Sequence, residues 1–122
     1  MSDLGRLERP LELFVQAGHV TAVRGGSTAQ AGRLNDIVQN VPNATNIAEI
    51  GIGLNPKARL TDQITETKKR LGTAHVAIGD NARDYGGSVE CAVHLDGMIL
   101  DVTIALDGLP LVEHGRPVFY QA

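Results

Sequence analysis

The chain has 122 residues, the size of one domain of ~100–200 residues. Its 43% hydrophobic and 20% charged residues exclude a disordered polymer, and no apolar run approaches the ~18 residues of a membrane span. A net charge of −3 argues against nucleic acid as the main partner, because phosphate binding needs clustered Lys and Arg.

A single cysteine, Cys91, rules out an internal disulfide. No basic segment followed by a long apolar stretch opens the chain. The expectation is a cytoplasmic protein that does not engage membranes. Aromatics are 3% with no Trp, so Val, Ile and Leu must build the core.

Taken in chain order, residues 11–15 and 19–23 flank Gln16-Ala17-Gly18 and predict a β-hairpin. Ser27 or Thr28 can cap a helix over about Ala29–Asn40. In it Leu34, Ile37, Val38 and Val41 form one apolar stripe, and Pro42 stops it. Residues 47–52 read as a strand. A second helix is predicted over about Asp62–Leu71, capped by Thr61 and ended by Gly72, with Lys68-Lys69-Arg70 as its solvated end.

Residues 73–78 read as the next strand, and a polar loop runs from Gly79 to Gly87. Strands over 88–95 and 98–106 join near Asp96-Gly97, and a last hairpin turns at Asp107-Gly108. The fold class expected is α+β: a single domain with a mixed or mostly antiparallel sheet of about seven short strands. Two helices would lie on one face of it.

Strand side chains alternate between faces. In residues 88–96, Val89, Cys91, Val93 and Leu95 share an apolar side, and His94 and Asp96 project from the other, ~6.6–6.8 Å apart. In residues 73–78, His75 stands opposite Ala74, Val76 and Ile78. In residues 47–52, Glu49 stands opposite Ala48, Ile50 and Ile52. Side by side, such strands bring Glu49, His75, His94 and Asp96 together. Two imidazoles and two carboxylates suit Zn²⁺, Mn²⁺, Co²⁺ or Fe²⁺, and neighbouring Gly and Ala leave room for substrate.

Each residue also has a plainer reading. Asp96-Gly97 is a common hairpin dipeptide. His75 alone fits a hydrogen-bonded core histidine, and Glu49 alone a half-exposed strand carboxylate. His19 and His114 lie beside glycines in turns and read as surface residues, and Cys91 reads as an inert buried thiol. Gly51-Ile52-Gly53 lacks the rest of a phosphate-loop fingerprint, and no Gly-x-Ser-x-Gly elbow supports a serine nucleophile.

Three blocks carry a family resemblance: Ala48-Glu49-Ile50-Gly51-Ile52-Gly53-Leu54-Asn55-Pro56, Gly72-Thr73-Ala74-His75-Val76-Ala77-Ile78-Gly79, and His94-Leu95-Asp96. Over about residues 10–115 the chain resembles the C-terminal part of the thermophilic, aminopeptidase T-like metalloaminopeptidases. The 2,5-dihydroxypyridine ring-cleaving dioxygenases are related to them. The peptidase resemblance implies a pair of divalent metals, Zn, Co or Mn. Glu49 would be a bridging or ligating carboxylate, His75, His94 and Asp96 ligands, and Tyr85 a catalytic tyrosine.

The leading expectation is therefore hydrolysis of an N-terminal peptide bond or small amide by metal-activated water. The first alternative is an Fe(II) oxidoreductase, since His75, His94 and Asp96 have the composition of a facial triad that meets a catechol-like ring. The second is a truncated, non-catalytic structural or dimerisation module. The partners expected are a small peptide or other small molecule, and a second copy in a homodimer.

Overall fold

The computed structural model describes residues 6–55, 57–58, 69–83 and 86–117. Among them are eight strands and one helix: β1 (Leu11–Gln16), β2 (His19–Gly25), α1 (Thr28–Asn40), β3 (Ile47–Ile52), β4 (Ala74–Gly79), β5 (His94–Ile99), β6 (Ile104–Leu106), β7 (Leu109–Glu113) and β8 (Arg116–Pro117). The α+β class holds. The strands are shared among three small sheets, ordered β1-β2, β3-β4-β5 and β6-β7-β8.

Three hairpins use the same turn. Gln16 pairs with His19, Leu106 with Leu109, and Glu113 with Arg116. Each loop is two residues long: Ala17-Gly18, Asp107-Gly108 and His114-Gly115. All six residues have positive φ, between 46° and 81°. That matches a type I′ turn, whose twist suits antiparallel strands.

Helix α1 begins where the sequence offers a capping box. Ser27 accepts from the Gln30 backbone N–H at 3.2 Å and donates its hydroxyl to Gln30 Oε1 at 3.3 Å. The helix ends at Asn40, two residues before Pro42, because a proline cannot continue the ladder. Of the second predicted helix, residues 59–68 lie outside the described residues. Lys69 and Leu71 are turn residues and Arg70 forms an isolated bridge with Asn55. Gly72 has the positive φ, 92°, expected of a terminator.

The chain divides into two compact units, Met1–Glu49 with Val76–Gly97 and Ile50–His75 with Met98–Ala122. In the first, Val20, Leu34, Ile78 and Leu95 form the core, with Ile37, Val38 and Ile47 packed against it. In the second, the core is Ala74, Val102 and Val112, with Ile104 and Leu111 against it. Among the described residues no helix is long and apolar enough to cross a membrane.

Three details correct the sequence reading. Asp96-Gly97 is not a turn but lies inside β5; the break comes at Leu100–Thr103, where Asp101 takes a φ of 50°. Residues 88–93 are not a strand, because side chains take their amides: Val89 N–H donates to Asn81 Oδ1 and Cys91 N–H to Asp80 Oδ1. Finally, Ile50 and Ile52 are not core residues. They are 71% and 42% exposed, and Ile47 is the β3 isoleucine that packs against the core.

Candidate metal centre

The first unit brings three of the four predicted ligands together. Glu49 of β3, and His94 and Asp96 of β5, place one ligand atom each within 4.8 Å of one another. His94 Nε2 lies 3.6 Å from Glu49 Oε2 and 3.6 Å from Asp96 Oδ1. All three side chains are half-buried.

The local reasons are short. His94 and Asp96 flank Leu95, which is 4% exposed and part of the core. Alternation therefore turns both ligands to the opposite side of β5. On β4 the core residue is Ile78, so its neighbour Ala77 faces that same opposite side. Ala77 is fully buried. It lies on β4, the strand between β3 and β5.

The tautomer of His94 follows from its other nitrogen. Nδ1 lies 2.6 Å from the Asp80 carbonyl oxygen, which can only accept, so Nδ1 carries the proton. In the neutral ring, Nε2 then presents its lone pair to the two carboxylates. A cation placed among these three electron-rich atoms is attracted by all of them. Donors held ~2.0–2.2 Å from one ion lie at most ~4.4 Å apart; the two 3.6 Å separations meet that limit. One imidazole nitrogen and two carboxylate oxygens suit a borderline or hard divalent ion. The donor set fits a metal.

Asp80 itself is 6% exposed. Its Oδ1 accepts from Cys91 N–H at 3.1 Å and its Oδ2 from Arg83 N–H at 3.2 Å. Burial alone raises its pKa. The two backbone hydrogen bonds, with the charges of Arg83 and His94, outweigh that and hold the carboxyl below its ordinary value. The sequence reading missed Asp80, treating Gly79–Gly87 as an undifferentiated polar loop. The available signal was an Asp-Asn pair at the end of an apolar strand, since such side chains tie up loop amides.

His75 does not belong to the three-residue cluster. It is buried in β4 at 5% exposure, and its ring occupies the place a Cβ on Gly51 would need. Gly51 is thus a packing glycine, not part of a phosphate loop. Tyr85, the predicted catalytic tyrosine, lies outside the described residues. His19 and His114 are exposed, as expected of turn residues, and Cys91 is a free, buried thiol.

With this geometry in place, comparison with known proteins identifies the family. Residues 5–119 match the family model NicX, 2,5-dihydroxypyridine 5,6-dioxygenase. The chain belongs to the 2,5-dihydroxypyridine 5,6-dioxygenase family. Its fold is similar to the solved structure of 2,5-dihydroxypyridine dioxygenase from Pseudomonas putida KT2440, with a TM-score of 0.72 at 24% identity. That match covers 93% of this chain and 35% of the other, so the chain spans about a third of its structural relative. No curated protein matches it.

Membership in the dioxygenase family overturns the leading sequence expectation. The hydrolase, aminopeptidase and metalloprotease readings do not stand; the family shown is the one named in the first alternative. The donor set alone could not decide between them, because the same side chains serve hydrolytic and redox ions.

Proposed function

We propose that this chain is the iron-binding part of a ring-cleaving dioxygenase whose substrate is a dihydroxylated pyridine. Family membership supports the reaction class. The observation that carries the site is the convergence of Glu49, His94 and Asp96, with the His94 lone pair aimed at the two carboxylates.

In this reading Glu49, His94 and Asp96 hold Fe(II). Bound Fe(II) would supply redox chemistry at coordination positions left open to dioxygen and the aromatic diol. The chain's own residues do the rest. Glu49 and Asp96 neutralise the ion's charge, so the emptied site is anionic and favours the cation first over an ionised ring hydroxyl. Leu95, buried on the core side, fixes the strand that carries both His94 and Asp96.

The test is anaerobic loading of the purified chain with Fe(II), followed by metal analysis and oxygen uptake with 2,5-dihydroxypyridine. The expected result is about one equivalent of iron, lost in His94→Ala with the fold intact, and iron-dependent oxygen uptake. Equal iron in His94→Ala would remove the ligand assignment. Glu49→Gln should lose iron as well, and iron retained in that variant would remove Glu49 from the ligand set.

A further inference from the structure

Asp80 uses four polar groups, and three of them engage the segment that leads into His94. Its N–H donates to the Val93 carbonyl at 2.8 Å. Its Oδ1 accepts from Cys91 N–H at 3.1 Å. Its carbonyl accepts from His94 Nδ1 at 2.6 Å. The fourth group, Oδ2, accepts from Arg83 N–H at 3.2 Å and ties down the residue's own loop. The preceding residue is anchored too: Gly79 N–H donates to the Asn46 carbonyl at 2.8 Å, and Asn46 Nδ2 donates back to the Gly79 carbonyl at 3.0 Å.

We infer that Asp80 is a positioning residue for His94, acting through its main-chain carbonyl to fix which imidazole nitrogen bears the proton and where the other one points. The inference rests on the metal-binding reading above and adds to it a residue outside the ligand set. The side chain of Asp80 never touches the ligand atoms. It works by locking its own backbone against residues 91–93, so that the carbonyl stays in line with Nδ1.

The chemistry explains why aspartate stands here. Both donors that reach its side chain are backbone N–H groups, so both side-chain positions must be acceptors. Asparagine offers one acceptor and one amide group that would face an N–H. It keeps the size and loses half of the anchor. Alanine loses both halves and leaves the buried Cys91 N–H and the Arg83 N–H to find new partners. A carbonyl partner on the second nitrogen is a known way to orient a ligating histidine, and losing it costs about 10–100-fold in metal affinity.

The experiment has two arms. The first uses ¹⁵N-labelled, metal-free protein at about pH 8, above the ordinary histidine pKa of ~6.5. The wild-type His94 ring should show a single Nδ1–H tautomer with a slowly exchanging proton, and Asp80→Asn should show a tautomer mixture. A wild-type ring protonated on Nε2 overturns the inference, whatever the variants do. This arm needs no metal, so it stands even if the iron reading fails.

The second arm measures anaerobic Fe(II) affinity. Asp80→Asn should bind about 10–100-fold more weakly than wild type. Asn81→Ala, which removes the acceptor of Val89 N–H in the same loop and leaves the Asp80 bonds in place, should bind like wild type. An equal loss in Asn81→Ala would mean general loosening of the loop, and would overturn the positioning role. Wild-type protein that binds no Fe(II) would instead remove the iron reading, with the tautomer result left to decide the rest.

Discussion

Leu34 and Ile78 are fully buried in the unit formed by Met1–Glu49 and Val76–Gly97. In the unit formed by Ile50–His75 and Met98–Ala122, the largest fully buried side chain among the described residues is a valine, Val112. The contrast continues at the surface. The second unit exposes Ile50, Ile52, Leu54, Ile99, Leu100, Leu106 and Leu109, whereas the first exposes only Phe14 and Val15 among the large apolar residues described. Glu49, His94 and Asp96 all belong to the first, better-filled unit. A constellation that must hold its atoms to within a fraction of an ångström needs neighbours locked by packing. Here the lock is Leu95, placed between two of the three groups.

The sharpest way to break this contrast is to hollow out the first unit. Leu34→Ala removes a side chain with no exposure, at the centre of the α1 stripe. It should destabilise the chain by about 2–5 kcal/mol, the range for buried leucines, read from urea unfolding. A loss under about 1 kcal/mol would mean that this core does not carry the fold. Gly51→Ala comes next. The new methyl would enter the space of the His75 ring, so the ring or the strand must shift, at about 1–3 kcal/mol. Thermal unfolding and the His75 imidazole resonances measure both effects. Unchanged resonances would show that the ring does not lie over Gly51.

Much of the first unit was legible in the sequence, because local rules and tertiary packing agree there. The Ala17-Gly18 hairpin, the Ser27 cap, the α1 stripe and the stop before Pro42 each follow from a few neighbouring residues. The meeting of His94 and Asp96 was legible for a similar reason: strand alternation, with Leu95 buried, is enough to send both to one side. The failures have a common physical origin in competition. At 88–93 the apolar alternation is that of a strand, but Asp80 and Asn81 reach the amides first. At Asp96-Gly97 the turn propensity is real, yet pairing in β5 overrides it. The family was not legible from the donor atoms alone, since a fold and its donors do not name a chemistry; the family match supplied it.

The smallest expected effect tests the other side of the contrast. Ile47 and Ile50 lie on one strand with the same side chain, but Ile47 packs against the first core and Ile50 is 71% exposed. Replacing either with threonine keeps the β-branch, and so keeps most of the strand preference, while an ethyl group gives way to a hydroxyl. At Ile50 water already surrounds that group, and the change should stay within about 0.5 kcal/mol. At Ile47 the hydroxyl would enter a partly buried apolar contact and should cost at least about 1 kcal/mol. Equal costs for the two variants in the same urea titration would mean that Ile50 is covered in solution, and that the second unit's apolar surface is not open to water.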